Sequence, residues 1–208
     1  GGKTKGGRQR GEDKGGKFLA KREAGLNILA GFAINFLIHW GKKLYSRKTA
    51  IVTMSDLGSQ GKRVDLSGQV LAERLGAEAY EVFFRTIIPD DCERIKEVLV
   101  ELADRKGAAL IVTTGGTGVS PRDVTPEATL AVIEKSVPGM AEAMRAASMR
   151  KTAHAMLSRA VAGIRGKTLI LNLPGSPGGA LENLEAVLPA LSHALDKIQG
   201  DPSDCAAK

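Results

Sequence analysis

The stretch LIVTTGGTGVSPRDVTPEA, residues 110–128, decides how the chain is read. An apolar run enters three glycines, Gly115, Gly116 and Gly118. It leaves through Arg122-Asp123 into Thr125-Pro126-Glu127. With AALIVTT counted from residue 108, apolar residues fill consecutive positions, as in a parallel strand buried on both faces. Thr125-Pro126 predicts a helix start, with Thr125 as N-cap and Pro126 as first helical residue. A strand, a glycine turn and a helix make one unit of an α/β fold.

The same unit recurs outward. KTAIVTMS (48–55) predicts a strand, and SGQVLAERLG (67–76) a helix closed by Gly76. AYEVFFRTII (79–88) predicts a second strand, stopped by Pro89. In DDCERIKEVLVELADRKG (90–107), Ile95, Val98, Leu99 and Leu102 lie on one helical face. A helix follows Pro138, with Met140 and Met144 in its core face. TLILNL (168–173) predicts a fourth strand. Leu181, Leu184, Leu188, Leu191 and Leu195 then form an apolar stripe, with a kink expected at Pro189. Strands alternating with helices predict a three-layer α/β/α domain around a mainly parallel sheet.

The chain has 208 residues and a formal charge of +7. Residues 1–48 hold 12 Lys/Arg against 3 Asp/Glu, and the remainder 18 against 20. The basicity belongs to the leader, so no nucleic-acid partner is expected for the main domain. Residues 1–47 are expected to form a basic, partly disordered leader, residues 48–200 the domain, and residues 201–208 a tail. Within the leader, AGLNILAGFAINFLIHW (24–40) is short for a membrane span of about 20 residues. It reads as a helix or tail outside the domain, with a membrane-surface anchor or the end of a preceding domain as alternatives. Cys92 and Cys205 form no zinc motif, and unpaired thiols fit a reducing cytoplasm.

Ligands of parallel sheets bind beyond the carboxyl ends of the strands. Three such segments carry polar residues. SDLGSQGKRVDLSG (55–68) offers Ser55, Asp56, Asp65 and Ser67; Asp65 is a candidate for the site or for a helix cap. Thr114, Gly115, Gly116, Thr117 and Gly118 suit a phosphate held by backbone N–H groups, an anion nest beside a helix start. Asp123 next to such a nest calls for a positive partner, either Arg122 or Mg²⁺. NLPGSPGGALEN (172–183) makes a rigid turn through Pro174, Gly175 and Ser176. Asp90 and Asp91 follow the second strand, as helix caps or, for Asp90, as a second carboxylate facing the ligand. GIRGKT (163–168) lacks the first glycine and the preceding strand of a P-loop. His39, His154 and His193 have no metal-ligand spacing.

VTTGGTGVSPRDVTPEAT, joined to VTMSDLGSQGKRVDLSG, IIPDD, PGMAEAMR and MLSRAVAGIRGKTLILNLPGSP, resembles the Mog/MoaB-type molybdenum-cofactor biosynthesis proteins. The likeness covers roughly residues 48–200. It implies a molybdopterin-binding α/β domain, typically trimeric. Enzyme members transfer AMP from Mg-ATP to the molybdopterin phosphate, and the product passes to a molybdate-insertion protein. The likeness also implies that Asp90 and Asp123 are catalytic, with Mg²⁺ near them, and that the SDLGSQG and NLPGSP segments bind ligand. Arg122 is a candidate for leaving-group charge. A pterin-binding homologue with little or no transfer activity, and a ligand-responsive interaction module recruited by the leader, remain the alternatives.

Overall fold

The computed structural model describes residues 1–2 and 47–203. The leader, its apolar stretch and Cys205 therefore lie outside the described residues. Everything below concerns the unit that begins at Tyr45.

Its strands are β1 (Lys48–Met54), β2 (Glu81–Ile88), β3 (Leu110–Thr114), β4 (Lys135–Ser136), β5 (Ala162–Arg165) and β6 (Thr168–Leu173). Its α-helices are α1 (Asp56–Ser59), α2 (Leu66–Ala77), α3 (Cys92–Val100), α4 (Thr125–Val132), α5 (Pro138–Met149) and α6 (Pro177–Ile198). The sheet runs β2-β1-β3-β6-β5-β4. The first four strands in that order are mutually parallel, while β5 is antiparallel to both β6 and β4.

Alternation along the central strands builds two cores. Ile51, Leu110, Val112, Leu169 and Leu171 pack with Leu71, Leu75, Met144, Leu184 and Leu191 on the face covered by α2, α5 and α6. Ala50, Val52, Ile111 and Ile170 pack with Ile95, Leu99, Ala128 and Val132 on the face covered by α3 and α4. Each fully buried Leu or Ile contributes roughly 1.5–3 kcal/mol relative to exposure. Residues apolar at successive positions therefore hold helices on both sides, and the expected three layers result. Met140 and Met144 lie in the first of these cores.

Two details depart from expectation, in strand number and in the helix of residues 90–107. The sheet has six strands where four were predicted, because the two-residue β4 and four-residue β5 are too short to show a periodicity. GIRGKT is the hairpin between β5 and β6. The helix of residues 90–107 begins as α3 and finishes as a π-helical turn, Glu101–Arg105. Helix α6 runs unbroken through Pro189, which sits on its exposed side.

After β1 the chain crosses to β2 on one side; β3 then lies on β1's other side. A crevice opens at such a reversal, beyond the carboxyl ends of the two strands.

Candidate functional site

The crevice is a cleft of about 650 Å³. Its walls come from the segments after β1, β2, β3 and β6. Ser55, Asp56, Asp65, Ser67, Asp90, Thr114, Gly115, Gly116, Asp123, Gly175 and Ser176 all line it. Thr117, Gly118 and Pro174 do not: Thr117 is buried, and the other two are half-buried beside the lining residues. Arg63, Val64 and Leu66 join the lining without having been expected there. Leu57, Val64 and Leu66 are 48%, 75% and 54% exposed, an apolar patch beside the polar side chains of the cleft.

Several expected ligand contacts are taken up in tying the walls together. The Asp65 carboxylate accepts from the Gly68 N–H at 2.8 Å and from the Thr53 hydroxyl at 2.9 Å, so Asp65 caps α2 and braces β1. The Ser67 hydroxyl donates to the Gly175 carbonyl at 2.7 Å, and the Thr114 hydroxyl donates to the Pro174 carbonyl at 2.6 Å. Ser55 and Ser176 cap α1 and α6, accepting from the N–H groups of Gly58 and Gly179. These bonds fix the relative positions of three loops that meet at the ligand edge.

The glycine turn needs its glycines. Gly115 has φ 101° and Gly116 φ 62°, a region that costs an L-residue about 1–2 kcal/mol. A Cβ on Gly115 would lie 2.4 Å from the Met54 carbonyl oxygen. A Cβ on Gly116 would lie 2.4 Å from Thr125 Oγ1 and 3.0 Å from Asp90 Oδ1. The turn therefore packs directly on the end of β1 and against the Asp90 carboxylate. Thr125 is not the N-cap of α4, as its sequence context suggested. It is the first helical residue; its hydroxyl donates to the Gly115 carbonyl at 3.0 Å and its N–H to the Gly116 carbonyl at 3.1 Å.

The carboxylates divide by environment. Asp91, not Asp90, caps α3, accepting from the Arg94 N–H. Asp90 instead exchanges bonds with Asp56: each N–H donates to the other's carboxylate at 3.1 Å. Burial pushes the Asp90 carboxyl above the ordinary carboxylate range. The Asp56 N–H and the Arg122 charge oppose that rise, and the charges of Asp56 and Asp123 add to it. Arg122 does not answer Asp123. Its guanidinium grips Asp56 with both arms at 2.7–3.1 Å and holds that carboxyl below its ordinary value. Asp123 accepts from the Ser120 N–H at 2.8 Å, closing its own loop.

Arg159 carries no expectation from the sequence beyond its place in MLSRAVAG, yet it sits against this loop. Its N–H donates to the Thr117 carbonyl at 2.9 Å and its Nε to the Gly118 carbonyl at 2.6 Å. The two terminal nitrogens reach the Asp123 carbonyl and the Glu127 carboxylate. Only the fold brings the segment before β5 here. His154, by contrast, is exposed and does not line the cleft.

No group of three His, Cys, Asp or Glu able to hold a metal alone occurs among the described residues. Asp90 and Asp123 on one cleft do suit a Mg²⁺ whose remaining ligands are phosphate oxygens and water.

The sequence pattern of a family described as "Probable molybdopterin binding domain" matches residues 50–193. The chain belongs to this family. It is 42% identical over 153 residues to the molybdopterin adenylyltransferase of Helicobacter pylori, covering 73% of this chain and 87% of that protein. It is 42% identical over 151 residues to the Escherichia coli K12 protein of the same name, covering 71% and 77%. Among solved structures, the molybdopterin biosynthesis enzyme MoaB of Thermus thermophilus superposes with a TM-score of 0.71 at 50% identity, over 77% of this chain and all of that one. The family match starts within β1 and ends within α6, so this family's domain contains every wall of the cleft.

Proposed function

We propose that the chain is a molybdopterin adenylyltransferase: it transfers AMP from Mg-ATP to the terminal phosphate of molybdopterin, giving adenylylated molybdopterin and pyrophosphate. One observation carries the chemistry. A glycine turn with unpaired N–H groups and two carboxylates, Asp90 and Asp123, flank a single cleft at the strand ends. N–H groups suit phosphate oxygens, and carboxylates suit the Mg²⁺ that accompanies a nucleotide. Neither feature alone requires the other.

In the transfer, a pterin phosphate oxygen bonds to the α-phosphorus as the bond to the pyrophosphate oxygen breaks, and the electron pair leaves with pyrophosphate. The attacking phosphate is already anionic near neutral pH, so a general base contributes little. Alignment and charge neutralisation dominate. The Gly115–Gly118 turn holds a phosphate. Asp123 and Asp90 would hold a Mg²⁺, which would supply positive charge to the phosphates, and Asp90 orients the reacting groups. The apolar patch of Leu57, Val64 and Leu66 takes the flat face of a ring. Arg122, released from Asp56, meets the charge of the departing pyrophosphate.

The same reading gives a homotrimer in the cytoplasm, where the free Cys92 stays a thiol and a molybdate-insertion protein takes the product. No helix among the described residues is long and apolar enough to cross a membrane. The domain is residues 48–200, with the basic leader and the tail outside it.

The sequence resemblance to the MoaB branch carries a second reading, pterin binding with little or no transfer. Incubation with molybdopterin, ATP and Mg²⁺ separates the two. Adenylyl transfer gives adenylylated pterin and pyrophosphate. Bound pterin without either product leaves the second reading standing and removes the first.

A further inference from the structure

We infer that Arg159 is a positioning residue: it sets the anion-binding face of the glycine turn by occupying that turn's carbonyls from outside the cleft. The inference rests on the transferase reading for its kinetic consequence, though not for its binding consequence.

Four consecutive carbonyls of the turn are occupied by two residues. Thr125 takes those of Gly115 and Gly116, through its hydroxyl and its N–H. Arg159 takes those of Thr117 and Gly118, through its N–H at 2.9 Å and its Nε at 2.6 Å. In a planar trans peptide the carbonyl of one residue and the N–H of the next point in opposite directions. Fixing these four carbonyls therefore fixes the N–H groups of Gly116, Thr117, Gly118 and Val119 on the far side of their peptide planes. None of those four N–H groups has a hydrogen-bond acceptor among the described residues. Unpaired donors in a row, with every matching acceptor held and Gly116 on the cleft wall, are a nest that awaits an anion at the cleft's edge.

The same guanidinium reaches the Asp123 carbonyl and pairs with Glu127 in the first turn of α4. Arg159 thus braces both ends of the loop between Gly118 and Asp123. That loop contains the exposed Val119 and Ser120 and is closed otherwise by the Asp123–Ser120 bond. A guanidinium is the side chain that spans two carbonyls and a carboxylate at once, because its donors lie in a rigid fork. Arg159 does not line the cleft, so its effect passes through the backbone.

The test uses the full chain with Arg159→Lys, which keeps the cation and removes the fork. Arg165→Lys is the comparator. Arg165 also donates to a carbonyl, that of Val132, and pairs with a carboxylate, Asp104, but lines no part of the cleft. Pyrophosphate affinity by calorimetry, kcat, and the Mg²⁺ concentration at half-maximal rate are read for each, with melting temperature recorded. Arg159→Lys is expected to weaken pyrophosphate binding roughly 10- to 100-fold, the scale of a lost hydrogen bond to a charged group. It lowers kcat about 10²-fold, as a displacement near 1 Å does, and raises the Mg²⁺ requirement because Asp123 shifts. Arg165→Lys lowers the melting temperature alone. If Arg159→Lys melts below the assay temperature, Arg159→Gln, with one amide donor left for Gly118, is read in its place with the same expectation. Unchanged pyrophosphate affinity in the Arg159 variant, an equal loss in Arg165→Lys, or a parent chain that binds no pyrophosphate overturns the inference. A parent chain that binds pyrophosphate more tightly than the variant yet transfers no AMP refutes only the transferase reading.

Discussion

Asp90 and Asp123 are both carboxylates on one cleft, but their surroundings set different consequences for replacing them. Among the described residues, the Asp123 carboxylate is held by one backbone N–H and by no side-chain cation, so its charge is available to a metal–phosphate partner. Asp123→Asn keeps the shape and removes the charge; turnover falls by about 10²-fold or more, while pterin binding by calorimetry persists. Equal turnover would remove Asp123 from its assigned role. Asp90 is destabilised as an anion by burial, which raises its folded-state pKa. Its contribution to stability is therefore fully present below the unfolded pKa, near 3.9, and is lost as pH rises through the higher folded value. Near neutral pH the ionised side chain works against folding. Asp90→Asn should then raise the melting temperature at pH 7, give no gain below about pH 4, and lower turnover. A melting temperature that falls at pH 7 would show that Asp90 is structural. Asp56 has the opposite sign: Arg122 lowers its pKa, so that pair stabilises above the ordinary carboxylate range and fades as pH drops through the lowered value.

At the scale of elements, the glycine turn is the part whose geometry tolerates least. Gly116→Ala places a Cβ against Thr125 and Asp90 at φ 62°. It should cost about 1–3 kcal/mol in urea melts and abolish turnover, whereas undisturbed turnover would show that the turn does not contact the reacting groups. The long elements were legible from their apolar patterns: β3 and β6 carry the unbroken apolar runs Leu110–Val112 and Leu169–Leu171, and α3 carries Ile95, Val98 and Leu99 on one face. Strands β4 and β5 were not, since two and four residues show no period; β5 is fixed by pairing with β6's edge, and β4 by pairing with β5. Thr125 looked like a cap because Thr-Pro commonly is one; a tertiary partner, the Gly115 carbonyl, claims its hydroxyl instead. Arg122 was expected beside its neighbour Asp123, yet it reaches Asp56, 66 positions away. The loops of the cleft could be named from sequence because strand ends collect ligands. Which of their groups hold one another, as the Ser67 hydroxyl holds the Gly175 carbonyl, is a property of packing alone.

For the whole molecule, charge and chemistry are assigned to different regions. The cleft lies wholly within residues 53–177, while the excess of Lys and Arg lies in residues 1–48. Removing residues 1–45 should therefore leave kcat and pterin affinity unchanged, with any loss confined to recruitment of a partner; a collapse of turnover would tie the leader to catalysis. The central claim concerns where one phosphorus atom goes. ATP labelled at the α-phosphorus, incubated with the full chain, molybdopterin and Mg²⁺, should deliver its label to the pterin in step with the release of unlabelled pyrophosphate. Label that stays in ATP while pterin is bound, or that appears only as free AMP, would contradict adenylyl transfer.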